Sequence, residues 1–372
     1  MAPTRPNKKS KKRSEKKPAN PTLLLEDATA KLQEGDVEKA FLAAKKALDA
    51  TGGRECELAA LNLLGQISIE MGEIDDARTY FLEAVNLDRD GSRDERAGGG
   101  PEKFLWLAQL SEDGGQDSVE WFERGAASLR GQIRALTELT TRSEEQEALL
   151  EEKKAKLGGT LCAVAEVYMT DLSWEADAEQ RCEALVTEAG LVAPELAETW
   201  QTVANVRISQ ERFDEARAAL TRSMDLWKEL HPLDPRVPDF PSRVSLVRLL
   251  LEVDMEQEAI DVLERLVGDD DQSVEAWYLG GWALFILGEK LKEKQPEGED
   301  EEDWNTTWTT SRHWLTRCLK LYEAQQYEDE RLGEHARELM ASINKVLGEP
   351  PEGEEEEGWE DAGSDDDEEM AE

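Results

Sequence analysis

Two short stretches decide the fold of this chain, GDVEKA at residues 35–40 and GEIDDA at residues 72–77. They align position by position, and each is followed by small and apolar residues at helical spacing: Ala44, Ala47 and Leu48 after the first, and Phe81, Ala84 and Val85 after the second. Small residues let two helices lie close together, while larger apolar residues fill the layer around the contact. The pattern therefore predicts two consecutive helical hairpins of the same design.

The pattern returns along the rest of the chain, with a spacing typical of tetratricopeptide repeats. Further copies begin near Phe104, Gly158, Trp200, Leu246 and Trp277, and a last helix follows over about residues 327–347. No segment alternates apolar and polar residues in the way that strands do. We predict an all-α fold, a right-handed superhelical solenoid of about seven tetratricopeptide-type helical hairpins with a C-terminal capping helix.

The sequence divides into three parts, a disordered basic arm over residues 1–21, the repeat array over 22–348 and a disordered acidic tail over 349–372. Both ends lack the apolar residues that a packed core needs. Two insertions interrupt the array. A charged segment near 132–157 predicts an extended helix between the third and fourth hairpins. An acidic segment near 290–303 delays the second helix of the last hairpin.

The charge of the chain points to a basic partner. Acidic residues outnumber basic ones by 84 to 44, which gives a formal charge of -40. Residues 1–20 carry +7 and residues 349–372 carry -14, so the body between them carries -33. Such a body repels nucleic acid. It attracts a cationic protein at a rate that depends on ionic strength.

The sequence shows no arrangement typical of an active site. The three histidines, His231, His313 and His335, have no cysteine at metal-ligand spacing. The run Gly98–Gly100 follows no predicted strand, so we interpret it as a linker and not as a phosphate-binding loop. Carboxylates are abundant, but a catalytic pair needs a pocket that separates their pKa values. We predict no enzyme, no metal site and no cofactor.

The cysteines predict a reducing environment. Cys56, Cys162, Cys182 and Cys318 are scattered and form no close pair, as expected for core thiols of an intracellular protein. The first 25 residues lack the apolar stretch of a signal peptide. The apolar runs are far shorter than the ~20 residues of a membrane-spanning helix. We expect no membrane association.

The basic arm carries a candidate nuclear import signal, formed by Lys8, Lys9, Lys11, Lys12, Arg13, Lys16 and Lys17. Basic runs of this length occur in import signals and in nucleic-acid contacts. The acidic body favours the first interpretation, because nucleic acid would be repelled. A solubilising tail is the remaining alternative. We therefore expect the protein in both cytoplasm and nucleus, with an import receptor as a further partner.

The repeat register predicts where a partner binds, because the first helix of each hairpin lines the concave surface of a solenoid. The predicted groove residues are Asn62, Gln66, Glu70, Gln109, Glu112, Asp113, Gln201, Asn205, Arg248, Glu252, Tyr278 and Trp282. The set combines acids, amides and aromatic rings. Apolar residues on a solvated face usually mark a contact surface. This groove suits an extended peptide that carries Lys or Arg together with apolar side chains.

The sequence does not match the tetratricopeptide subgroup of heat-shock co-chaperones. Co-chaperones that bind the acidic C-termini of heat-shock chaperones use a clamp of inward Lys and Asn residues. Here Leu25 and Thr29 occupy clamp positions of the first copy, and only Asn62 is suggestive. An acidic groove would also repel an acidic ligand.

The whole layout resembles the fungal family of dedicated assembly chaperones of large-subunit ribosomal protein L-four. The resemblance rests on the basic arm Lys8–Lys17, an array starting at Leu23, an acidic insertion before Trp304 and the tail end Asp365–Glu369. It implies that the array binds and shields the basic internal loop of the newly made ribosomal protein. It further implies escort to nuclear pre-ribosomes for large-subunit assembly, in a complex of one chaperone with one client.

An alternative function stays open at this point. An acidic repeat scaffold or histone-binding subunit of a nuclear chromatin or RNA-processing complex would use the same acidity. Neither function requires catalytic residues or direct nucleic-acid binding by the folded body. The co-purifying partner distinguishes the two.

Overall fold

The computed structural model describes residues 20–51, 56–294 and 302–349. Within these ranges the chain forms fifteen α-helices and one short 3-10 helix over Glu95–Ala97, and no strand. The chain divides into two compact units, with the boundary between Pro194 and Glu195. The prediction of an all-α protein is confirmed.

Unit 1, before the boundary, contains eight α-helices. They are α1 (Pro21–Gln33), α2 (Val37–Thr51), α3 (Glu57–Glu70), α4 (Ile74–Leu87), α5 (Glu102–Gln109), α6 (Gly115–Thr137), α7 (Glu144–Met169) and α8 (Ala178–Val192). Consecutive helices pack as four hairpins, and α1 also lies beside α3. The first helices of the first two hairpins are therefore adjacent, as the repeat pattern predicts.

The two motifs that open the sequence form equivalent turns. Gly35 and Gly72 follow the first helix of their hairpins and have φ of 79° and 77°. These are left-handed values that glycine adopts without the steric cost of a Cβ atom. Close packing explains the small residue at Gly65, where a Cβ would lie 2.6 Å from the ring of Phe81. Glycine thus ends the first helix and also allows the second helix to pack closely.

The segment 132–157 differs from its prediction. It is not a separate extended helix, because its first residues end α6 and its last residues belong to α7. The break between them follows from a capping box, in which Ser143 and Gln146 satisfy each other's backbone N–H groups. The inserted residues lengthen two helices that pack against each other. The prediction of one inserted helix is wrong.

Unit 2 contains seven helices. They are α9 (Ala197–Ser209), α10 (Phe213–Asp225), α11 (Phe240–Glu252), α12 (Glu256–Asp269), α13 (Val274–Lys294), α14 (Glu302–Gln325) and α15 (Glu330–Leu347). The first six form three hairpins, and α9, α11, α13 and α15 follow one another side by side. The last helix α15 therefore occupies the place of a further first helix.

The C-terminal end of unit 2 agrees with the predicted capping helix. α15 buries Leu332, Ala336, Leu339 and Ile343 in one stripe, and the opposite face is polar. The preceding helix α14 begins at Glu302, so it includes the end of the acidic segment that was expected to precede it. Its first turns bury the side chains of Trp304 and Trp308. Both rings belong to the hydrophobic core of unit 2.

Parts of the predicted domain layout lie outside the described residues. These are residues 1–19 of the basic arm, residues 295–301 of the acidic insertion and residues 350–372 of the acidic tail. All residues of the candidate import signal fall in the first of these segments.

Candidate partner-binding surface

The first helix of the second hairpin, α3, carries three predicted groove residues that differ in solvent exposure. Glu70 is exposed, whereas Asn62 and Gln66 are half-buried. The Asn62 side-chain amide donates a hydrogen bond of 2.5 Å to the carbonyl of Gly98, 36 residues further along the chain. Asn62 is therefore bound by the protein's own loop. A partner could use this amide only after the loop has moved.

This loop, residues 88–100, joins α4 to α5 and is fixed at its base by a buried ion pair. The Lys103 ammonium lies 2.8 Å from the Asp88 carboxylate, and both side chains are almost fully buried. Lys103 also donates to the carbonyl of Gly100 at 2.6 Å. Burial lowers the pKa of Lys103, and the bond to Asp88 opposes that effect. Buried charges need such partners, because an unpaired one is costly.

The tip of the loop is fixed against α3 and α7. Gly98 has φ of 84°, and a Cβ there would lie 2.5 Å from backbone atoms of Ala59. Glu95 accepts a bond of 2.8 Å from the buried ammonium of Lys153 on α7. The run Gly98–Gly100, which the sequence suggested to be a linker, instead brings the backbone into close contact with α3.

A cleft of about 450 Å³ opens between α1, α3 and this loop. It is mostly apolar and is lined in part by Leu25, Thr29, Ala59 and Ala97, with Arg96 among the other lining residues. Leu25 and Thr29 are the residues at the clamp positions, so the structure places an apolar surface where heat-shock co-chaperones carry cations. This cleft can accept a side chain but has no cationic clamp on α1.

The predicted residues of the third hairpin lie at its edge. Gln109 is the last residue of α5, and Glu112 and Asp113 follow in the loop before α6. All three side chains are exposed. Glu112 pairs with Arg78 of α4 at 3.2 Å. The assignment of Glu112 and Asp113 to a first helix is wrong, because α5 has only eight residues.

Unit 2 places its predicted residues on α9 and α11. Gln201 is only 7% exposed, so it belongs to the packed layer, and Asn205 is half-buried. The buried amide nitrogen of Gln201 has no hydrogen-bond acceptor within the described residues. On α11, Arg248 and Glu252 are exposed, and Arg248 pairs with Glu275 of α13. The structure brings Arg248 and Glu252 to the surface and buries Gln201.

Tyr278 and Trp282 are one turn apart on α13 and meet His335 of α15. The Tyr278 and Trp282 ring centroids are 6.1 Å apart. The His335 ring packs edge-on against both, at 5.8 Å and 5.7 Å. The Tyr278 hydroxyl and Nδ1 of His335 share a hydrogen bond of 2.8 Å. We call these three residues the aromatic cluster. Sequence reasoning missed His335 because no local pattern links it to residues 57 positions earlier.

Burial keeps two of the cysteine thiols in their neutral form. Burial raises the pKa of Cys318 to about 12 and also raises that of Cys182, so both thiols stay protonated at neutral pH. Among the residues that the structure describes, no three His, Cys, Asp or Glu side chains are grouped in a way that could hold a metal ion. None of the helices described is both long enough and apolar enough to cross a membrane.

Comparison with known proteins identifies the repeats. The tetratricopeptide repeat family matches residues 58–90, which include α4 and nearly all of α3. A solved structure described as Assembly Chaperone of RpL4 (Acl4), residues 1–338, matches with a TM-score of 0.70 and 61% sequence identity. The match covers 74% of this chain and 99% of the solved one. The prediction of a tetratricopeptide-type fold is confirmed.

Two curated fungal proteins match over nearly their whole length, and both are named probable assembly chaperone of rpl4. The protein of Emericella nidulans is 49% identical over 367 residues, which cover 95% of this chain and 91% of that protein. The protein of Schizosaccharomyces pombe is 33% identical over 341 residues, which cover 91% and 95% respectively. The chain belongs to the fungal tetratricopeptide repeat family that includes these probable assembly chaperones of rpl4.

Proposed function

We propose that this protein is a dedicated chaperone of rpl4, the large-subunit ribosomal protein L-four, and that it acts by binding and not by catalysis. The observation that carries this proposal is the similarity to two proteins named for that role, over more than nine-tenths of this chain. The charge of the chain supports it independently. A body with a formal charge of -33 supplies the counter-charge that a basic ribosomal protein lacks before it meets RNA.

The part of the client that we propose to be bound and shielded is its basic internal loop. Glu70 of α3 and Glu252 of α11 are exposed and have no ion-pair partner within the described residues. They belong to first helices of hairpins, together with the half-buried rings of Tyr278 and Trp282. Unit 1 thus offers a carboxylate, and unit 2 offers a carboxylate and apolar rings, groups that suit a segment that is both basic and apolar. The binding free energy from these charge and apolar contacts must exceed the free-energy cost of ordering that segment.

Escort of the client to nuclear pre-ribosomes completes the proposal. The seven basic residues between Lys8 and Lys17 have the composition of an import signal. An import receptor would bind this arm while the repeats retain the client, in a complex of one chaperone with one rpl4. The protein would then work in both cytoplasm and nucleus. A variant with the seven basic residues replaced by Gln should stay in the cytoplasm. Fluorescence microscopy of the tagged variant measures its distribution between cytoplasm and nucleus.

Charge reversal tests the location of the binding surface. The double variant Glu70→Lys, Glu252→Lys places two cations on first helices. The matched control Glu83→Lys, Glu264→Lys makes the same change of net charge on exposed positions of the second helices α4 and α12. We expect the first variant to recover much less rpl4 than the control when each tagged protein is purified from cells.

The outcomes separate the parts of the proposal. Equal recovery of rpl4 by the two variants would contradict the assignment to the first helices but would leave the chaperone function intact. A wild-type protein that co-purifies with a stable multisubunit complex and without rpl4 would contradict the function itself. That result would favour the alternative, an acidic scaffold of a chromatin or RNA-processing complex.

A further inference from the structure

The aromatic cluster leaves ring surface open on the first helix of the last hairpin. Tyr278, Trp282 and His335 are each half-buried, so part of every ring stays accessible to solvent. Tyr278 and Trp282 lie one turn apart on α13, which presents both rings on the same side of the helix. The hydrogen bond between Tyr278 and His335 fixes the phenol ring relative to α15. The cluster is thus an ordered surface before any ligand binds.

The aromatic cluster contains no internal cation, in contrast to several other rings of the protein. Within the described residues, Lys or Arg side chains lie over rings such as Phe104, Tyr168, Trp227 and Tyr322. In the same part of the chain, no Lys or Arg lies over Tyr278 or Trp282. Both residues are also partly exposed, so a cation from outside can approach the rings beside their contacts with His335.

The charges near the cluster favour such a cation. Burial raises the pKa of Tyr278, the Cys318 thiol and the Asp329 carboxylate add to that effect, and the guanidinium of Arg248 opposes it. Arg248 is itself paired with Glu275. The one cation near Tyr278 is thus already paired, whereas Asp329 has no ion-pair partner within the described residues. A cation placed on the ring faces would gain both the ring interaction and this carboxylate field.

We propose that the aromatic cluster binds an arginine side chain of the client. This inference rests on the proposed function, because it names the client group that the repeats recognise. A guanidinium is planar, so it stacks on the face of an indole or phenol ring better than an ammonium does. It is also less strongly hydrated, so less solvation is lost on binding. The cluster distinguishes arginine from lysine, which the net charge of the repeats does not.

Substitutions at Trp282 separate a cation–π contact from an apolar one. Trp282→Phe keeps an aromatic face, whereas Trp282→Leu keeps apolar volume without one. The matched control is Trp174→Leu, because Trp174 is 76% exposed on the loop between α7 and α8. We expect Trp282→Leu to weaken rpl4 binding by about 5- to 30-fold, Trp282→Phe by less, and Trp174→Leu not at all.

Competition with polymers of equal length measures the preference for arginine. Polyarginine should displace rpl4 from the wild-type protein at a lower concentration than polylysine at the same ionic strength. Trp282→Leu should bring the two concentrations together, because it removes the ring face and leaves the carboxylates. Tyr278→Leu provides the same test on the neighbouring ring. Thermal unfolding of each variant, followed by circular dichroism, shows which of them remain folded.

The results distinguish the cluster from the function. Equal affinity of Trp282→Leu and wild type for rpl4 would overturn the assignment of the cluster, while wild-type binding in the same experiment would uphold the chaperone function. Equal displacement by both polymers from the wild type would also overturn the assignment. Failure of the wild type to bind rpl4 would overturn the proposed function instead.

Discussion

Breaking the buried ion pair between Asp88 and Lys103 should destabilise unit 1 severely. The variant Lys103→Met removes the ammonium and leaves the Asp88 carboxylate in a site where its side chain is 1% exposed. That carboxylate would keep one modest partner, the backbone N–H of Arg93 at 3.2 Å. Removing one member of a buried pair costs about 3–5 kcal/mol. This is a large part of the ~5–15 kcal/mol that typically stabilises a domain.

Amide hydrogen exchange followed by mass spectrometry measures this loss segment by segment. A destabilisation of this size raises the exchange rate of the most protected amides by about 100- to 4,000-fold. We expect the increase in α5 and the loop 88–100, which the ion pair connects, and in α3, which contacts the loop through Asn62 and Gly98. The protected amides of unit 2 serve as an internal reference in the same sample. The loop should open first, which would release Asn62 from Gly98.

Two further variants control the interpretation. Lys46→Met removes a lysine that is exposed on α2, so it should change stability by less than about 0.5 kcal/mol. Adding Asp88→Asn to Lys103→Met removes the unpaired charge and retains an acceptor for Arg93, so much of the protection should return. Exchange rates in Lys103→Met within about threefold of wild type would show that the ion pair contributes almost nothing to the stability of unit 1.

Three other sites give predictions of stability. Gly98→Ala should cost about 1–3 kcal/mol, because its Cβ would meet the backbone of Ala59 at φ of 84°, whereas Gly131→Ala in open space on α6 should stabilise by roughly 0.5–1 kcal/mol. Chemical denaturation measures both. Asp239→Ala should cost about 1 kcal/mol, because Asp239 caps α11 by accepting from the Ser242 N–H. Hydrogen bonds from the side chain and the backbone N–H of Ser242 lower the folded-state pKa of Asp239, so the cap's contribution is present above the unfolded-state pKa. The stabilisation by the cap should be lost as pH falls through the folded-state pKa of Asp239. Acid denaturation of the wild type and of Asp239→Ala measures the difference in stability at each pH.

The hairpins could be predicted because their determinants are local. Gly35 and Gly72 lie inside motifs that repeat in the sequence, and their turns depend on residues within a few positions. The apolar stripe of α15 was visible for the same reason, since every residue of the stripe belongs to one helix. Capping information was equally local at Ser143 and Gln146, but the charged composition around it suggested one continuous helix. At this segment the capping residues were a better guide to the helix boundary than the charged composition.

The surface was harder to predict, because exposure depends on contacts between distant segments. Asn62 lies on a first helix, yet its side-chain amide already donates a hydrogen bond to the carbonyl of Gly98. Gly98 reaches this position with a positive φ that no pattern in the sequence indicates. Gln201 has an equivalent position but is buried. Repeat register identifies which side of a helix a residue lies on, and it does not show what covers that side. The same limit hid the contribution of His335 to the aromatic cluster.

The central claim is that this protein holds rpl4 in a soluble complex, and light scattering after size-exclusion chromatography tests it directly. Purified protein and rpl4 are mixed at low ionic strength and again at about 0.5 M salt, where charge attraction is strongly screened. We expect a complex of one chain of each protein at low ionic strength, with a smaller bound fraction at high salt. Precipitation of rpl4 while this protein elutes alone at low ionic strength would show that the two proteins form no such complex.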